Sequence, residues 1–429
     1  MQIAIIAGGK GTRLQSRIGG LPKPLAPVAG RPLLQHQIEM AAAQGVREIV
    51  LLTGYGAAAI REFCGDGSRW GVTFVYHEET TPLGTAGCAL EALELLADEF
   101  IVLYGDTMLD IDLNRFLSHH RNAHAEATLL AHPNDHPRDS DLLEVDERGN
   151  VRAILPYPHP PDAWLENLVN AAAYVLTKPL LAAYRERFRT GDFAKHLFPL
   201  MLADGHRISA YRSTEYIKDA GTPERLDKVE GDFLSGRVAE GRGARPGVFF
   251  DCDGTLTAGT GLITSPDQLE LLPGAADAVR AVNRAGHLAV LVTNQPVVAR
   301  GDCSEADLRA IHNKLETLLG REGAYLDKIY YCPHHPDSGY PGERADLKID
   351  CLCRKPKPGM IDQAAAELGI ALARSWMVGD STMDTLTAHN AGIRSALTAT
   401  GNGGADGRYQ AEPTLRAAGV ADAVARILS

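Results

Sequence analysis

The sequence predicts an α/β protein built from two doubly wound domains. The chain has 429 residues, which exceeds the usual size of one domain and suits two. In both halves, short apolar runs alternate with stretches of helical periodicity, and this βαβ rhythm indicates mostly parallel sheets covered by helices. Residues 235–246 are rich in Gly and Arg and lack apolar periodicity, as is typical of a linker. We therefore expect domains at residues 1–234 and 247–429.

Strands and helices can be assigned along the first domain from these patterns. The predicted strands are Gln2–Ala7, Glu48–Thr53, Thr73–Tyr76, Phe100–Tyr104, Ala127–Ala131 and Asn170–Leu176. The predicted helices are Leu33–Gln44, Ala57–Cys64, Ala86–Leu96 and Leu113–His120. In the second domain, the predicted strands are Val248–Phe250, Leu288–Val292, Lys328–Tyr331 and Ser375–Val378, with helical patterns between them.

Charge and hydropathy exclude several classes of protein. The net charge of -11 argues against a nucleic-acid-binding protein, because binding to the phosphate backbone needs an excess of Lys and Arg. No stretch approaches the roughly 20 apolar residues of a membrane span. The apolar run at the N-terminus lacks the basic region and the length of a signal peptide. We therefore expect a cytoplasmic enzyme that acts on small molecules, and the sequence leaves a homo-oligomer open.

Carboxylates follow the predicted strands of the second domain. Asp251 and Asp253 leave the first strand of this domain, Thr293 ends the next one, and Asp380 follows the strand after Lys355. Ligands of open parallel sheets bind at this carboxyl edge. One carboxylate can attack phosphorus while the other handles the proton of the leaving group. Each feature alone is more often a turn or a cap, but their order and placement together indicate a phosphoryl-transfer site.

This set resembles the haloacid dehalogenase superfamily of phosphatases, from about Gly247 to the C-terminus. The resemblance implies that Asp251 forms an aspartyl-phosphate and that Asp253 acts as general acid and then as general base. It also implies a set of phosphate-binding residues: Thr293, Asn294 and Lys355. It further implies a Mg²⁺ site formed by Asp251, the backbone carbonyl of Asp253 and Asp380, with Asp384 supporting these ligands.

Three cysteines and a histidine cluster late in the chain. Cys332-Pro-His334 and Cys351-Leu-Cys353 supply three thiolates and one imidazole, which is the ligand set of a closed tetrahedral Zn²⁺ site. The alternative is three reduced cysteines beside an exposed histidine, and His335 is a rival ligand. Because all four coordination positions would be filled, we expect the Zn²⁺ to be structural and to fix the loop before Lys355.

The spacing of the motifs in the second domain indicates which type of phosphatase it resembles. About 40 residues separate Asp251 from Thr293, and about 60 separate Thr293 from Lys355, which is too few for a large cap domain. Residues 293–301 (TNQPVVARG) and 331–336 (YCPHHP) resemble the zinc-bearing D-glycero-D-manno-heptose 1,7-bisphosphate phosphatases, whose relatives are the histidinol-phosphate phosphatases. The resemblance makes Arg300 and Arg354 candidates for gripping a second phosphate. Ser381 departs from the lysine that we expect after Gly-Asp in heptose enzymes of the enterobacterial type.

A glycine-rich loop follows the first strand of the chain. In residues 7–14 (AGGKGTRL), the glycines let backbone amides approach a triphosphate, and Arg13 can neutralise it. Lys23 follows at close range in a Leu-Pro-Lys-Pro segment. Asp106 ends a predicted strand and Asp219 lies far along the chain, so that two separated aspartates are available for one Mg²⁺.

Residues 1–230 resemble the sugar-1-phosphate nucleotidylyltransferases. The resemblance implies in-line attack of a sugar phosphate on the α-phosphorus of an NTP, assisted by Mg²⁺ on Asp106 and Asp219 and by the catalytic cations Arg13 and Lys23. It implies that Asn170 contacts the sugar. The implied nucleotide-binding residues are Ala7, Gly8, Gly9, Gly11, Thr12, Arg13, Lys23, Gly84 and Thr85. Many relatives carry Glu-Lys-Pro after the strand near Ile154, whereas residues 155–161 here read LPYPHPP; Lys195 is a candidate substitute.

The two halves make chemical sense together, because a heptose 1,7-bisphosphate phosphatase releases the heptose 1-phosphate that a nucleotidylyltransferase consumes. We therefore expect a bifunctional enzyme of nucleotide-activated heptose synthesis, with GTP as the nucleotide. One alternative is a phosphatase joined to a sugar-nucleotide-binding module without catalytic activity. Another keeps both activities with a different substrate, such as a histidinol phosphate or another sugar bisphosphate.

Overall fold

The structure is a computed structural model that describes residues 1–259 and 262–429. It divides into two compact units. Unit 1 comprises Met1–His132, Asp141–Tyr157 and Val169–Arg242, and unit 2 comprises Pro133–Ser140, Pro158–Leu168 and Gly243–Ser429. The division near residue 242 falls within the predicted linker, where the structure places a short helix at Arg237–Glu240 with Val238 buried. No helix among the described residues combines the length and apolarity that a membrane span needs.

Unit 1 contains thirteen strands and nine α-helices. The strands are β1 Gln2–Ile6, β2 Pro27–Val28, β3 Arg31–Pro32, β4 Glu48–Thr53, β5 Thr73–Glu78, β6 Glu99–Tyr104, β7 Thr107–Asp110, β8 Ala127–His132, β9 Leu142–Val145, β10 Val151–Leu155, β11 Val169–Thr177, β12 Ile208–Arg212 and β13 Tyr216–Asp219. The helices are α1 Gln15–Ile18, α2 Leu33–Ala43, α3 Ala57–Cys64, α4 Gly84–Glu91, α5 Leu113–Asn122, α6 Lys178–Ala182, α7 Phe198–Ala203, α8 Pro223–Leu234 and α9 Arg237–Glu240.

The large sheet of unit 1 has the order β10-β9-β11-β6-β1-β4-β5, and β8 pairs with β11 and β12. Strands β5, β4, β1 and β6 are parallel, as the βαβ rhythm predicts. β11 runs antiparallel to β6 and β8, so the sheet is mixed. All the predicted strands are present. The helix predicted at Ala86–Leu96 is instead α4 followed by a 3₁₀ turn at Leu93–Leu95.

The described residues of unit 2 form a six-stranded sheet in which every pair is parallel. Its order is β16-β15-β14-β17-β18-β19. The strands are β14 Gly247–Phe250, β15 Leu288–Asn294, β16 Lys328–Cys332, β17 Trp376–Gly379, β18 Arg394–Thr398 and β19 Leu415–Ala417. The helices are α10 Ala275–Arg284, α11 Val297–Arg300, α12 Glu305–Arg321, α13 Gly359–Leu368, α14 Thr382–Asn390 and α15 Val420–Leu428. Buried clusters cover both faces of the sheet, and the carboxyl ends of β14, β15 and β17 carry the predicted phosphatase residues.

Two early segments of the chain complete unit 2, and nothing in the sequence pattern indicates this. The backbone amide of Asn134 donates to the side chain of Asn167 at 3.2 Å, and Asn167 Nδ2 donates to the carbonyl of Asn134 at 2.8 Å. The amide of Asn167 also donates to Glu316 on α12 at 3.2 Å. Thr317 exchanges two hydrogen bonds with the backbone of Leu165. Since Asn167 is only 2% exposed, these bonds satisfy buried polar groups.

Replacing Asn167 by alanine is expected to destabilise unit 2 by about 1–3 kcal/mol, because it leaves buried backbone groups of Asn134 without partners. Denaturant unfolding of the full chain, followed by tryptophan fluorescence, measures the effect. Asn122→Ala, at an exposed position at the end of α5, is the matched control and is expected to change little. Equal stability of the two variants would contradict a structural role for the Asn134–Asn167 pair.

Candidate active sites and metal centre

The predicted nucleophile lies where β14 ends. The backbone amide of Asp251 donates to the carbonyl of Val378 at 2.9 Å, which holds it beside the end of β17. The Nζ of Lys355 lies 2.6 Å from Asp251 Oδ1 and 2.6 Å from Asp384 Oδ1. The side chains of Lys355 and Asp384 are each 2% exposed. A buried ammonium therefore bridges two carboxylates at the sheet edge, which is where the sequence predicts phosphoryl chemistry.

Burial dominates the electrostatics of this edge. It raises the pKa of Asp251, and repulsion from Asp384 adds to the shift while Lys355 opposes it. Burial also raises the pKa of Asp253 and Asp380. For Lys355, burial lowers the pKa, but the two carboxylates outweigh it and hold the pKa above its ordinary value. Lys355 therefore stays protonated. Its single positive charge is too little to offset the burial of the neighbouring carboxylates.

The carboxylates of Asp251, Asp380 and Asp384 lie together, with one oxygen from each within 4.8 Å of the others. Hard oxygen donors in this number suit Mg²⁺. Asp384 thus lies next to the predicted ligands Asp251 and Asp380. The carboxylate of Asp253 instead accepts a hydrogen bond from Thr257 Oγ1 at 3.1 Å. This hydrogen bond holds the side chain of Asp253 towards Thr257.

Ser381, the departure from the expected lysine, caps helix α14. Its side chain donates to Asp384 Oδ2 at 2.6 Å and accepts from the amide of Asp384, which closes a capping box. The capping box at the start of α14 consequently fixes Asp384 with its Oδ1 towards Lys355. The serine therefore holds a carboxylate of the site in place.

Thr293 and Asn294, at the end of β15, make different contacts. Thr293 is buried, and its Oγ1 accepts from Gln295 Nε2 at 3.1 Å. Asn294, predicted to bind phosphate, contacts the backbone of Lys355: its Nδ2 donates to the Lys355 carbonyl at 3.2 Å, and its Oδ1 accepts from the Lys355 amide at 3.0 Å. These two hydrogen bonds hold Lys355 in place. Sequence reasoning also missed Gln295, whose only signal was its place directly after Thr-Asn.

Four predicted metal ligands converge after β16. Cys332 Sγ lies 3.5 Å from Cys351 Sγ and 3.3 Å from Cys353 Sγ, and Cys351 and Cys353 are 3.3 Å apart. The Nδ1 of His334 lies 3.3 Å from Cys353 Sγ. Sulfurs and a ring nitrogen at these separations can surround one ion of the size of Zn²⁺. His335, the rival ligand, turns away, with its Nε2 3.2 Å from Arg300.

Arg300 and Arg354 are anchored next to this cysteine cluster. The guanidinium of Arg300 bonds to His335 and stacks on Tyr340 with its Cζ 4.6 Å from the ring centre. Arg354 Nη1 donates to the carbonyl of His334 at 3.0 Å. Arg354 thus lies on the loop that carries the four ligands, and Arg300, at the end of α11, contacts that loop.

A cavity of roughly 750 Å³ opens at the glycine-rich loop of unit 1. The predicted residues that line it are Ala7, Gly8, Gly9, Gly11, Lys23, Gly84, Thr85 and Asp106. Gly11 has φ +61°, and a Cβ there would collide with the Lys23 side chain, so only glycine lets the lysine cross the loop. Lys23 Nζ reaches Asp106 Oδ2 at 2.7 Å. Among the described residues, the lining also contains Glu79 and Tyr55, which the sequence did not indicate.

Asp219 reaches the neighbourhood of Asp106 through a pair of strands that the sequence reading missed. β13 pairs antiparallel with β7, so that Asp219 lies opposite Thr107, and the amide of Ala220 donates to the Asp106 carbonyl at 2.9 Å. Asp219 itself accepts from Arg225 at 2.7 Å. Thr12 and Arg13 start a 3₁₀ turn next to the loop and are not part of the cavity lining in the described chain.

Asn170 lies at an irregularity of β11. The register with β8 shifts between Asn170 and Tyr174, and Ala172 has φ +53°. The side chain of Asn170 donates to the hydroxyl of Tyr174 at 3.1 Å. A bulge re-aims side chains in this way, so the strand presents Asn170 differently from a regular pleat. This residue is outside the cavity lining that the described residues form.

Comparisons with known proteins agree with both halves. A nucleotidyl transferase model matches residues 3–235, and a HAD-hydrolase-like model matches residues 352–425. A mannose-1-phosphate guanylyltransferase of Mycobacterium tuberculosis is 34% identical over 54% of this chain, which spans 64% of that relative's length. A D-glycero-beta-D-manno-heptose-1,7-bisphosphate 7-phosphatase of Yersinia pestis is 40% identical over 34% of this chain and 77% of its own.

A solved structure is also similar to the second half. The D,D-heptose 1.7-bisphosphate phosphatase from B. bronchiseptica, complexed with magnesium and phosphate, is 35% identical. The match covers 43% of this chain and 98% of that chain, with a TM-score of 0.38.

Replacing Lys355 by methionine is expected to destabilise unit 2 by about 3 kcal/mol or more, because it leaves the carboxylates of Asp251 and Asp384 buried without their ammonium. Urea unfolding of the full chain in EDTA measures the effect. Lys357→Met is the matched control, since Lys357 pairs with Asp350 at the surface and such pairs contribute under about 1 kcal/mol. A Lys355→Met protein as stable as the Lys357→Met protein would contradict the bridging role.

Proposed function

This chain belongs to the nucleotidyl transferase family through its first half and to the HAD-like heptose-bisphosphate phosphatase family through its second, and on that premise we propose a bifunctional enzyme of nucleotide-activated heptose synthesis. The observation that carries the proposal is that the product of one half is the substrate of the other. The phosphatase of this family yields a sugar 1-phosphate, and a sugar 1-phosphate is what the transferase consumes.

In the phosphatase half, we assign the substrate as D-glycero-D-manno-heptose 1,7-bisphosphate. An oxygen of Asp251 forms a bond to the 7-phosphorus while the bond from phosphorus to the sugar oxygen breaks, and Asp253 gives that oxygen a proton. Asp253 then takes a proton from water, whose oxygen displaces the aspartyl oxygen and releases phosphate. Thr293 and Lys355 hold the phosphoryl oxygens. Mg²⁺ bound by Asp251, Asp380 and the Asp253 carbonyl would offset repulsion between nucleophile and phosphate.

In the transferase half, we assign heptose 1-phosphate and GTP as substrates. The sugar phosphate oxygen attacks the α-phosphorus in line, and pyrophosphate leaves. Lys23 lies across the glycine-rich loop and is placed to neutralise the phosphates, together with Arg13 beside the loop. Asp106 and Asp219 would hold the Mg²⁺ that pairs with the triphosphate, and Asn170 would contact the sugar. The guanylyltransferase relative supports guanine as the base.

One feature favours a second candidate for this half. Residues 155–161 (LPYPHPP) lack the lysine that meets the sugar phosphate in many relatives. A unit that binds a nucleotide without turning it over would fit this departure. Lys195, whose Nζ lies 5.1 Å from the ring centre of Tyr157 in the same segment, is our candidate for the missing charge.

We further assign a structural Zn²⁺ to Cys332, His334, Cys351 and Cys353, since four convergent ligands leave no position for substrate. We also place the enzyme in the cytoplasm, where nucleotides are available. Its seven cysteines, all free thiols, suit that reducing compartment.

Two aspartate variants separate the two activities. Asp251→Asn is expected to lower phosphate release from heptose 1,7-bisphosphate roughly 10³-fold or more, because the nucleophile is lost. Asp106→Asn is expected to abolish pyrophosphate release from heptose 1-phosphate and GTP while phosphate release persists. In each variant, the activity that is retained shows that the chain is still folded. No pyrophosphate from the unsubstituted protein with any NTP would overturn the transferase assignment and favour the binding module. Phosphate release only from other monoesters would overturn the heptose assignment.

Loss of one cysteine tests the metal centre. Cys353→Ser is expected to reduce the zinc content of the purified chain from about one equivalent to far below one, because the site loses one of its four ligands. Elemental analysis by mass spectrometry measures it. Cys303→Ser, a change at a free thiol outside the cluster, is the control and keeps the zinc. Equal zinc in both variants would contradict the assignment.

A further inference from the structure

The loop between β18 and β19 reaches the strand end that carries Asp380. Asn402, in this loop, donates two hydrogen bonds to a single oxygen, Asp380 Oδ2. Its backbone amide lies 2.6 Å from that oxygen and its Nδ2 lies 2.9 Å from it. The amide of Gly404 donates to the backbone carbonyl of Asp380 at 2.8 Å. The loop therefore grips both the side chain and the backbone of this carboxylate residue.

Two glycines let the chain approach this carboxylate so closely. Gly254 has φ +81° and Gly401 has φ +57°, and a Cβ on either would collide with Asp380 Oδ2. Positive φ and this lack of space both require glycine. Asp380 is 1% exposed, so the surrounding atoms restrict its carboxylate to one orientation.

A second pair of hydrogen bonds ties the same loop to the helix that carries Asp384. Asp406 accepts from the backbone amide of Thr382 at 2.8 Å and from its hydroxyl at 2.6 Å. Thr382 is the first residue of α14. The loop thus braces the end of β17 and the start of α14, the two elements that deliver Asp380 and Asp384 to the site.

The hydrogen bonds decide which oxygen of Asp380 can serve a cation. A carboxylate oxygen offers two lone pairs in its plane, and both positions on Oδ2 are taken by Asn402. Among residues 1–259 and 262–429, no donor contacts Oδ1, so its lone pairs remain free. We propose that Asn402 is a positioning residue that turns Asp380 so that it binds Mg²⁺ through Oδ1 alone. This inference rests on the proposed phosphatase function of unit 2.

The test compares Asn402→Ala with Gln410→Ala, which removes an exposed amide farther along the same loop, in the full chain. The Mg²⁺ dependence of phosphate release gives the half-saturating concentration and the limiting rate. Electron paramagnetic resonance titration with Mn²⁺ measures metal binding without turnover. Thermal unfolding checks that both variants are folded.

Because loss of an outer hydrogen-bond partner costs 10–100-fold in metal affinity, we expect Asn402→Ala to raise the half-saturating Mg²⁺ about 10-fold. Saturating Mg²⁺ should restore most of the rate, and one class of Mn²⁺ sites should weaken. Asn402→Ser, which keeps a short donor, should fall between. Unchanged Mg²⁺ dependence and Mn²⁺ binding in a folded Asn402→Ala protein would overturn the inference. If the unsubstituted protein hydrolyses no monoester, the phosphatase function fails, but the Mn²⁺ titration still decides the role of Asn402.

Discussion

The ammonium of Lys355, buried between the carboxylates of Asp251 and Asp384, is the constraint on which the phosphatase unit depends. Asp380 adds a third carboxylate within 4.8 Å of the other two. Burying charge is tolerated only when opposite charge compensates it. When all three carboxylates are ionised, one lysine leaves two of their negative charges uncompensated. That deficit matches one divalent cation, so the charge balance of the site favours a divalent metal ion independently of any resemblance.

Much of unit 2 serves to place this lysine. Asn294 at the end of β15 holds its backbone through two hydrogen bonds. The segment before it contains Cys351 and Cys353, whose sulfurs face Cys332 and His334. Lys355 is therefore fixed from one side by the sheet edge and from the other by the cysteine cluster. A structural metal there would act on catalysis through position alone.

Local patterns in the sequence were enough to predict the ends of β14, β15 and β17, because each strand is a continuous apolar run that stops at a polar residue. The order of motifs then identified Asp251, Thr293, Lys355 and Asp380. The missing information was long-range. The antiparallel direction of β11 depends on a register with distant strands. The docking of residues 133–140 and 158–168 within unit 2 depends on buried amides such as Asn167, which look like ordinary loop residues in the sequence.

The carboxylates of the two units differ in how many positive charges lie beside them. In unit 1, Asp106 pairs with Lys23 at 2.7 Å and Asp219 pairs with Arg225 at 2.7 Å, so each carboxylate has its own cation. Such a site has no excess negative charge to attract a free divalent ion. A nucleoside triphosphate would supply that charge itself and would attract Lys23 and Mg²⁺. The charge balance therefore favours a transferase that takes up its metal together with the nucleotide, whereas the excess of carboxylates in the phosphatase half favours metal binding before substrate arrives.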